Sequence, residues 1–333
     1  KAFFHGRAPF IIIRRPIMKK EIRFPKPLKK GDNVYLICPS SSINPDSIEK
    51  GYEEIRKLGF NPVAGKSISS NYGGYMAGKA QIRIDDLHEA FSRPDIKGIL
   101  CMRGGFASSQ LLDKIDYELI KKNPKVFSGY SDITNLHLVF NQICGLGTYH
   151  GPMVESNMTE NFNDYTKNDF LNAIKNRKHK YVEPENMPLS LLKKEMKDKV
   201  SGTVIGGNLS LLTTSLGTPY EIETKGKILF LEDVTEEIGR IDRMLTHLKY
   251  AGKFDDCTGI IFGNFDDCSN RYDEGYTFYS LLEDFFSDYD KPVFYNFESG
   301  HAKPFMATVP LGAKCIMDTQ KKEIIFEKMG VME

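Results

Sequence analysis

Short apolar runs alternate along this chain with segments whose apolar residues recur at helical spacing, and few folds accept that alternation. "NVYLICPSS" (33–41) is β-rich and ends on Pro and Ser. Asp46 then opens "DSIEKGYEEIRKLG", where Ile48, Tyr52, Ile55 and Leu58 share a helical face and Gly59 stops it. Pro94 precedes a second apolar run, Gly98 to Met102, which leads into "RGGF" and a helical stretch near 107–114. Val126 and Phe127 end a third run, and Asp132 to Cys144 read as the helix after it. A second series starts near Val200, with "KGKILFLEDV" as a strand, "EEIGRIDRMLTHLKYAG" as a helix and "CTGIIFGNF" as the next strand. "YTFYSLLEDFF" reads as helix, and "ATVPLGAKCIM" and "KKEIIFEK" finish as β. Strand followed by helix at this spacing predicts α/β architecture with a parallel sheet. Sites in such folds collect at strand C-terminal ends and between domains.

The 333 residues, 41% of them hydrophobic, are enough for two cores. The expected division is an arm over 1–28, an N-terminal parallel-sheet domain over 29–155, a polar linker over 156–198 with a helix around "DFLNAIKN", and a C-terminal α/β domain with mixed β structure over 199–333. Residues 1–30 hold ten Lys/Arg and one acid, so the remainder carries 35 basic and 43 acidic residues. A mildly acidic body argues against nucleic acid as a partner. No apolar run reaches the ~20 residues of a membrane span. The opening "KAFFHGRAPFIIIRRPI" has an apolar core shorter than the ~7–15 residues of a signal-peptide core. It is expected to be foreign to the native chain, with Met18 as the native start and a cytoplasmic location. The six cysteines form no C-x-x-C pair, and buried reduced thiols are expected. No metal-ligand pattern is visible, and no cofactor is expected. "GGYMAGKA" (73–80) has Ala80 where a phosphate-binding loop needs Ser or Thr, and reads as a plain loop.

Four places carry candidate chemistry. Ser131 in "FSGYSDITNL" joins a strand to a helix. It is either that helix's cap or a nucleophile on a tight strand-to-helix turn. "RGGF" (103–106) brings two glycines directly after a strand, so Gly104 and Gly105 are either a tight turn or exposed N–H donors for an oxyanion. Arg103 could pair with a substrate carboxylate or with a structural acid. Glu232 and Asp233 end an apolar strand, where acids are costly unless paired or functional. Asp233 fits a cap for the helix starting near Glu236. His137 lies too far round its helix to face Ser131. His150 in "YHGPM" and His301 in "SGHAKP" both follow strands in Gly-flanked loops, and spacing does not choose between them as a base.

Taken together, "RGGF", "GYSDIT", "HGPM", "GGNLSLL", "GKILFLEDV", "IDRMLTHL", "GIIFGNF" and "GHAKPFMATVPLGA" resemble the LD-carboxypeptidase family of serine peptidases, the muramoyltetrapeptide carboxypeptidases. The match runs in order from about Lys29 to near the C-terminus. It departs where the family often has Pro-Tyr before "IDR" and this chain reads "EEIGRIDR". The resemblance implies a Ser–Glu–His triad in two domains, a homodimer, and a role in peptidoglycan recycling on murein tetrapeptides. It carries Ser131 over as nucleophile, Glu232 as acid and His301 as base. The N–H groups of Asp132, Gly104 and Gly105 become the oxyanion donors. Arg103, Asn208 and His150 become candidate substrate-binding residues. A sister group, the microcin-immunity type, hydrolyses peptidyl or aminoacyl nucleotides, and a non-catalytic two-domain binder is a third reading. The chain has no tryptophan, so stacking of a nucleobase would fall to Tyr or Phe.

Overall fold

Val34–Ile37 and Ile99–Met102 are buried without alternation, as strands covered on both faces must be. They belong to a six-stranded sheet in the order β12-β5-β4-β3-β1-β2. The strands are β1 (Asn33–Ile37), β2 (Asn61–Ala64), β3 (Ile96–Cys101), β4 (Val126–Gly129), β5 (Thr148–His150) and β12 (Val309–Leu311). β1 to β5 are parallel, whereas β12 runs antiparallel to β5. The chain passes from β1 to β2 on one side and returns to β3 on the other. The crevice beyond the C-terminal ends of β1 and β3 is therefore the switch point where open α/β sheets bind ligands. This computed structural model describes residues 21–193, 196 and 198–330. The opening segment 1–17 lies outside them.

The second sheet has the order β6-β14-β13-β8-β9-β10-β11-β7. Its strands are β6 (Lys178–Lys180), β7 (Ser190–Leu191), β8 (Lys199–Asn208), β9 (Lys227–Val234), β10 (Gly259–Asp266), β11 (Val293–Tyr295), β13 (Lys314–Asp318) and β14 (Glu323–Glu327). β8 to β11 are parallel and the flanking strands antiparallel, which gives the expected mixed sheet. Two findings depart from the expected layout. The polar tract 156–198 holds the helix expected in it, Asp164–Lys175, but it also supplies β6 and β7, which close the two edges of the second sheet. Strands of two or three residues carrying charge give no period to read. Second, β12 returns from the second half of the chain to the first sheet.

The predicted helix 132–144 is segmented: a 3₁₀ turn over Ser131–Ile133, an α-helix over Thr134–Val139 and a π turn over Phe140–Cys144. The stretch near 107–114 holds only a 3₁₀ turn, Ser108–Leu111. The loop 72–76 is a tight turn closed by Tyr72–Met76 bonds. None of the six cysteines, all among the described residues, forms a disulfide, and five are buried. One hydrophobic cluster runs from Leu36 and Leu100 through Tyr149, Val309 and Leu311 to Val204, Phe230 and Phe326, so both sheets share it. Among the described residues no helix is long and apolar enough to cross a membrane.

Candidate active site

Ser131 follows β4 with φ at +63°, a left-handed conformation that costs a non-glycine residue energy. The first cap position of the turn is Tyr130, and no side chain caps it. The cap reading of Ser131 therefore fails, and its hydroxyl stands at the end of a strained strand-to-helix turn. Such a turn lifts a side chain clear of the backbone around it.

The turn after β3 lies against this serine. A Cβ on Gly104 would stand 2.8 Å from Ser131 Cβ and 3.0 Å from its Oγ. Gly105 has φ at +112°, and a Cβ there would overlap the Ser41 hydroxyl. Two glycines are thus required, one by contact with Ser131 and one by backbone conformation. Among the described residues the N–H groups of Gly104 and Gly105 donate to no protein group, and neither does that of Asp132.

Ser40 and Ser41, just past β1, hold this turn. Ser41 N donates to Gly104 O at 3.2 Å, and Phe106 N donates to Ser41 Oγ at 3.1 Å. Ser40 Oγ donates to Phe106 O and reaches the Asp132 carboxylate. Asp132 also accepts from Ser108 N at 2.8 Å, and its carbonyl accepts from Ser108 Oγ at 2.6 Å. Burial pushes the Asp132 carboxyl up, against the pull of these bonds. Its side chain clamps the Ser131 turn to the glycine turn. The sequence reading missed Ser40 and Ser41, although a serine run at a strand's C-terminal end was the available signal.

Glu232 ends the apolar part of β9 and is fully buried, while the His301 side chain is 18% exposed. His301 Nδ1 donates to Glu232 Oε2 at 2.7 Å. Gly300, with φ at +135°, admits this approach, since a Cβ there would lie 3.0 Å from Glu232 Oε2. Burial lowers the His301 pKa, but the charge and hydrogen bond of Glu232 override it, and the net shift is upward. Burial raises the Glu232 carboxyl, and His301 pulls it back. Because Nδ1–H is held by the carboxylate, Nε2 is the nitrogen left to take a proton. Tyr130, the residue before Ser131, sets its ring against the imidazole, with centroids 4.9 Å apart and planes at 70°. That contact brings His301 beside the Ser131 turn. Ser131 Oγ and His301 make no hydrogen bond among the described residues.

The remaining candidates separate. His150 is fully buried on β5, both its nitrogens lack partners among the described residues, and burial first, then His137 and His301, holds its pKa well below the ordinary value. It packs on Phe230 rather than lining a solvent-reached surface. His137 bonds Thr148 Oγ1 at 2.9 Å and Gly129 O at 2.8 Å, and burial lowers its pKa to about 4. Arg103 pairs with Glu155 at 3.6 Å and is 43% exposed. Asn208 caps the helix Leu209–Thr214 and donates to Asp233 at 2.9 Å, so its amide is largely committed. Asp233 also corrects an expectation. It accepts from Ser210 N and Oγ at 2.9 and 2.8 Å, holding the helix Leu209–Thr214 and not the one near Glu236. The neighbouring strand end put that helix start within its reach, which spacing along one strand does not reveal.

A two-sheet α/β chain with a strained serine, free N–H donors and a buried Glu–His pair is a serine-hydrolase arrangement. Sequence comparison gives the narrower class. The LD-carboxypeptidase N-terminal domain matches residues 34–151 and the LD-carboxypeptidase C-terminal domain residues 201–317. The chain is 40% identical over 311 residues to a probable murein peptide carboxypeptidase of Bacillus subtilis, covering 93% of this chain and 95% of the relative. It superposes on MccF in complex with glutamyl sulfamoyl guanosine with a TM-score of 0.84 at 27% identity, covering 94% of this chain and all of that one. The muramoyltetrapeptide carboxypeptidase from Oxalobacter formigenes gives a TM-score of 0.79 at 25% identity, covering 88% and 97%. The chain belongs to the LD-carboxypeptidase family, a family of serine-type carboxypeptidases.

Proposed function

We propose that this enzyme releases terminal D-alanine from murein tetrapeptides by cleaving the L,D-amide bond, through a Ser131–His301–Glu232 triad. The observation that carries the reading is the 2.7 Å bond from His301 to buried Glu232 beside a serine held at φ +63°. Ser131 Oγ attacks the carbonyl carbon of the diamino acid residue while His301 Nε2 takes its proton. The N–H groups of Gly104, Gly105 and Asp132 receive the oxyanion. His301 returns the proton to the D-alanine nitrogen, the C–N bond breaks, and an ester to Ser131 remains. Water, deprotonated by His301, hydrolyses the ester. Glu232 keeps the imidazole in the tautomer that leaves Nε2 free and stabilises its cation. The Ser131–His301 bond is expected to close when substrate is seated. The same reading assigns the enzyme to peptidoglycan recycling, as a cytoplasmic homodimer, on the strength of the family resemblance.

Mass spectrometry of products from a muropeptide panel tests this. Loss of one alanine from tetrapeptides, with pentapeptides left intact, is the expected result. Similarity to the MccF complex favours one rival, hydrolysis of aminoacyl nucleotides. Turnover of glutamyl sulfamoyl guanosine with no alanine released from any tetrapeptide would replace the first reading with the second.

A further inference from the structure

Three large apolar side chains stand exposed at one place, with Tyr72 48%, Tyr75 45% and Phe106 69% accessible. Phe106 directly follows the glycine turn that faces Ser131. Its backbone is fixed on both sides, by Ser41 Oγ at 3.1 Å and Ser40 Oγ at 2.8 Å. The loop bearing the tyrosines is fixed to the same strand end. Ser42 N donates to Tyr75 O at 3.0 Å, and Ala77 N to Ser40 O at 3.1 Å. Tyr75 and Phe106 meet edge to face, with centroids 6.3 Å apart and planes at 80°. The backbone under both rings is therefore fixed and tied to the catalytic turn, while the rings face solvent. Exposed aromatic rings beside an active site suit a ligand surface, and aromatic side chains on a fixed backbone have few torsions to immobilise on binding.

We propose that Tyr75 and Phe106 form a carbohydrate subsite for the N-acetylmuramic acid ring of the substrate, an inference that rests on the murein-peptide reading above. Reach supports it. Three residues and a lactyl link separate the scissile carbonyl from the sugar, about 12–15 Å when extended at ~3.3–3.6 Å per residue. Phe106 Cα is two residues from Gly104, hence within about 7 Å of it, and the ring adds roughly 5 Å. Shape supports it as well. Rings at a right angle make a corner for the apolar C–H face of a pyranose. They leave no parallel slot in which a nucleobase could stack between them. Among the described residues no cation lies over the Tyr75 or Phe106 ring, whereas Lys79 lies 5.6 Å from the Tyr72 centroid.

The test compares kcat/KM for N-acetylmuramoyl-tetrapeptide with that for the free tetrapeptide. Wild type should prefer the sugar-bearing substrate. Phe106→Ala should lower that preference about tenfold, whatever change both substrates share, and Phe106→Tyr should retain it. An unaltered ratio in Phe106→Ala, or no preference in wild type, overturns the subsite. Calorimetric titration with muramoyl-tripeptide and tripeptide gives an answer that does not need turnover. A sugar increment in affinity that Phe106→Ala abolishes supports the subsite even if neither tetrapeptide is cleaved, an outcome that would count against the hydrolytic reading alone. No increment, with guanosine binding instead weakened in Phe106→Ala, assigns the corner to a nucleobase and overturns the proposal.

Discussion

Ser131 holds a conformation that costs about 1–3 kcal/mol in a non-glycine residue, and the clamp of Ser40 and Ser108 on Asp132 keeps it there. If it is the nucleophile, Ser131→Ala and His301→Ala should each lower kcat by about 10⁴-fold, and the double variant should be little worse. Multiplicative losses in steady-state kinetics would contradict a shared unit. The rival base, His150, is sealed in the core with both nitrogens unpaired among the described residues. His150→Ala should lower the melting temperature while leaving more activity than His301→Ala. Glu232 allows a test by pH. The base must be neutral, so kcat/KM falls as pH drops through the His301 pKa, which Glu232 holds above its ordinary 6.5. Glu232→Gln removes the negative charge, so the imidazolium becomes less stable and loses its proton at lower pH. The acid limb should therefore move to lower pH as kcat falls. An acid limb that stays in place, or moves up, would remove His301–Glu232 from the catalytic step.

At the scale of elements, the strand ends carry the site, and their turns are set by single atoms. Gly104 has no left-handed φ to excuse it. Only the 2.8 Å approach to Ser131 excludes a side chain there. Gly104→Ala should therefore displace Ser131 and one proposed oxyanion donor together, lowering kcat/KM by about 10²-fold or more. Gly104 is itself buried, so the melting temperature should fall too, but turnover should fall with it. A loss of stability without loss of turnover would mean the glycine serves packing alone. The same contrast explains what was legible in the sequence. β9 could be read because a central parallel strand is an apolar run, and the helix Ile238–Tyr250 because one face repeats every turn. Ser131, Glu232 and His301 surfaced as candidates at strand ends, but spacing left cap against nucleophile and His150 against His301 open. Tyr130, Ser40 and Ser41 act through contacts across 63 to 171 residues of sequence, which have no local signature. β6 and β7 escaped for a related reason, as did the sheet that β12, itself read as β, would join. They exist because a neighbouring edge offers partners, and β12 even carries Pro310, tolerated because it lies at the sheet edge.

In the whole molecule, the segment that bears His301 also joins the two sheets. After His301 the chain enters the first sheet as β12, then crosses back as β13 and β14. Asp169 holds this crossing segment from the helix Asp164–Lys175, accepting from Thr308 N at 2.6 Å and pairing with His179 at 3.2 Å. Near the end of the chain, Lys328 Nζ donates to the carbonyls of Ala173 and Ile174 at 2.9 and 3.1 Å. Neither sheet can open without exposing the cluster that both share. Thermal unfolding should accordingly be one transition. Far-ultraviolet and near-ultraviolet circular dichroism should change together, with calorimetric and van't Hoff enthalpies equal. Asp169→Ala removes buried hydrogen bonds to a charged acceptor, each worth about 1.5–3 kcal/mol. It should lower that one transition by several degrees, still without splitting it. Because β12 and His301 share the strap, the variant's activity should disappear at its own unfolding temperature and not before. Two resolved transitions in the wild type, or activity lost well below the melting of secondary structure, would show that the halves are independent and that the His301–Glu232 pair is not held by the strand exchange.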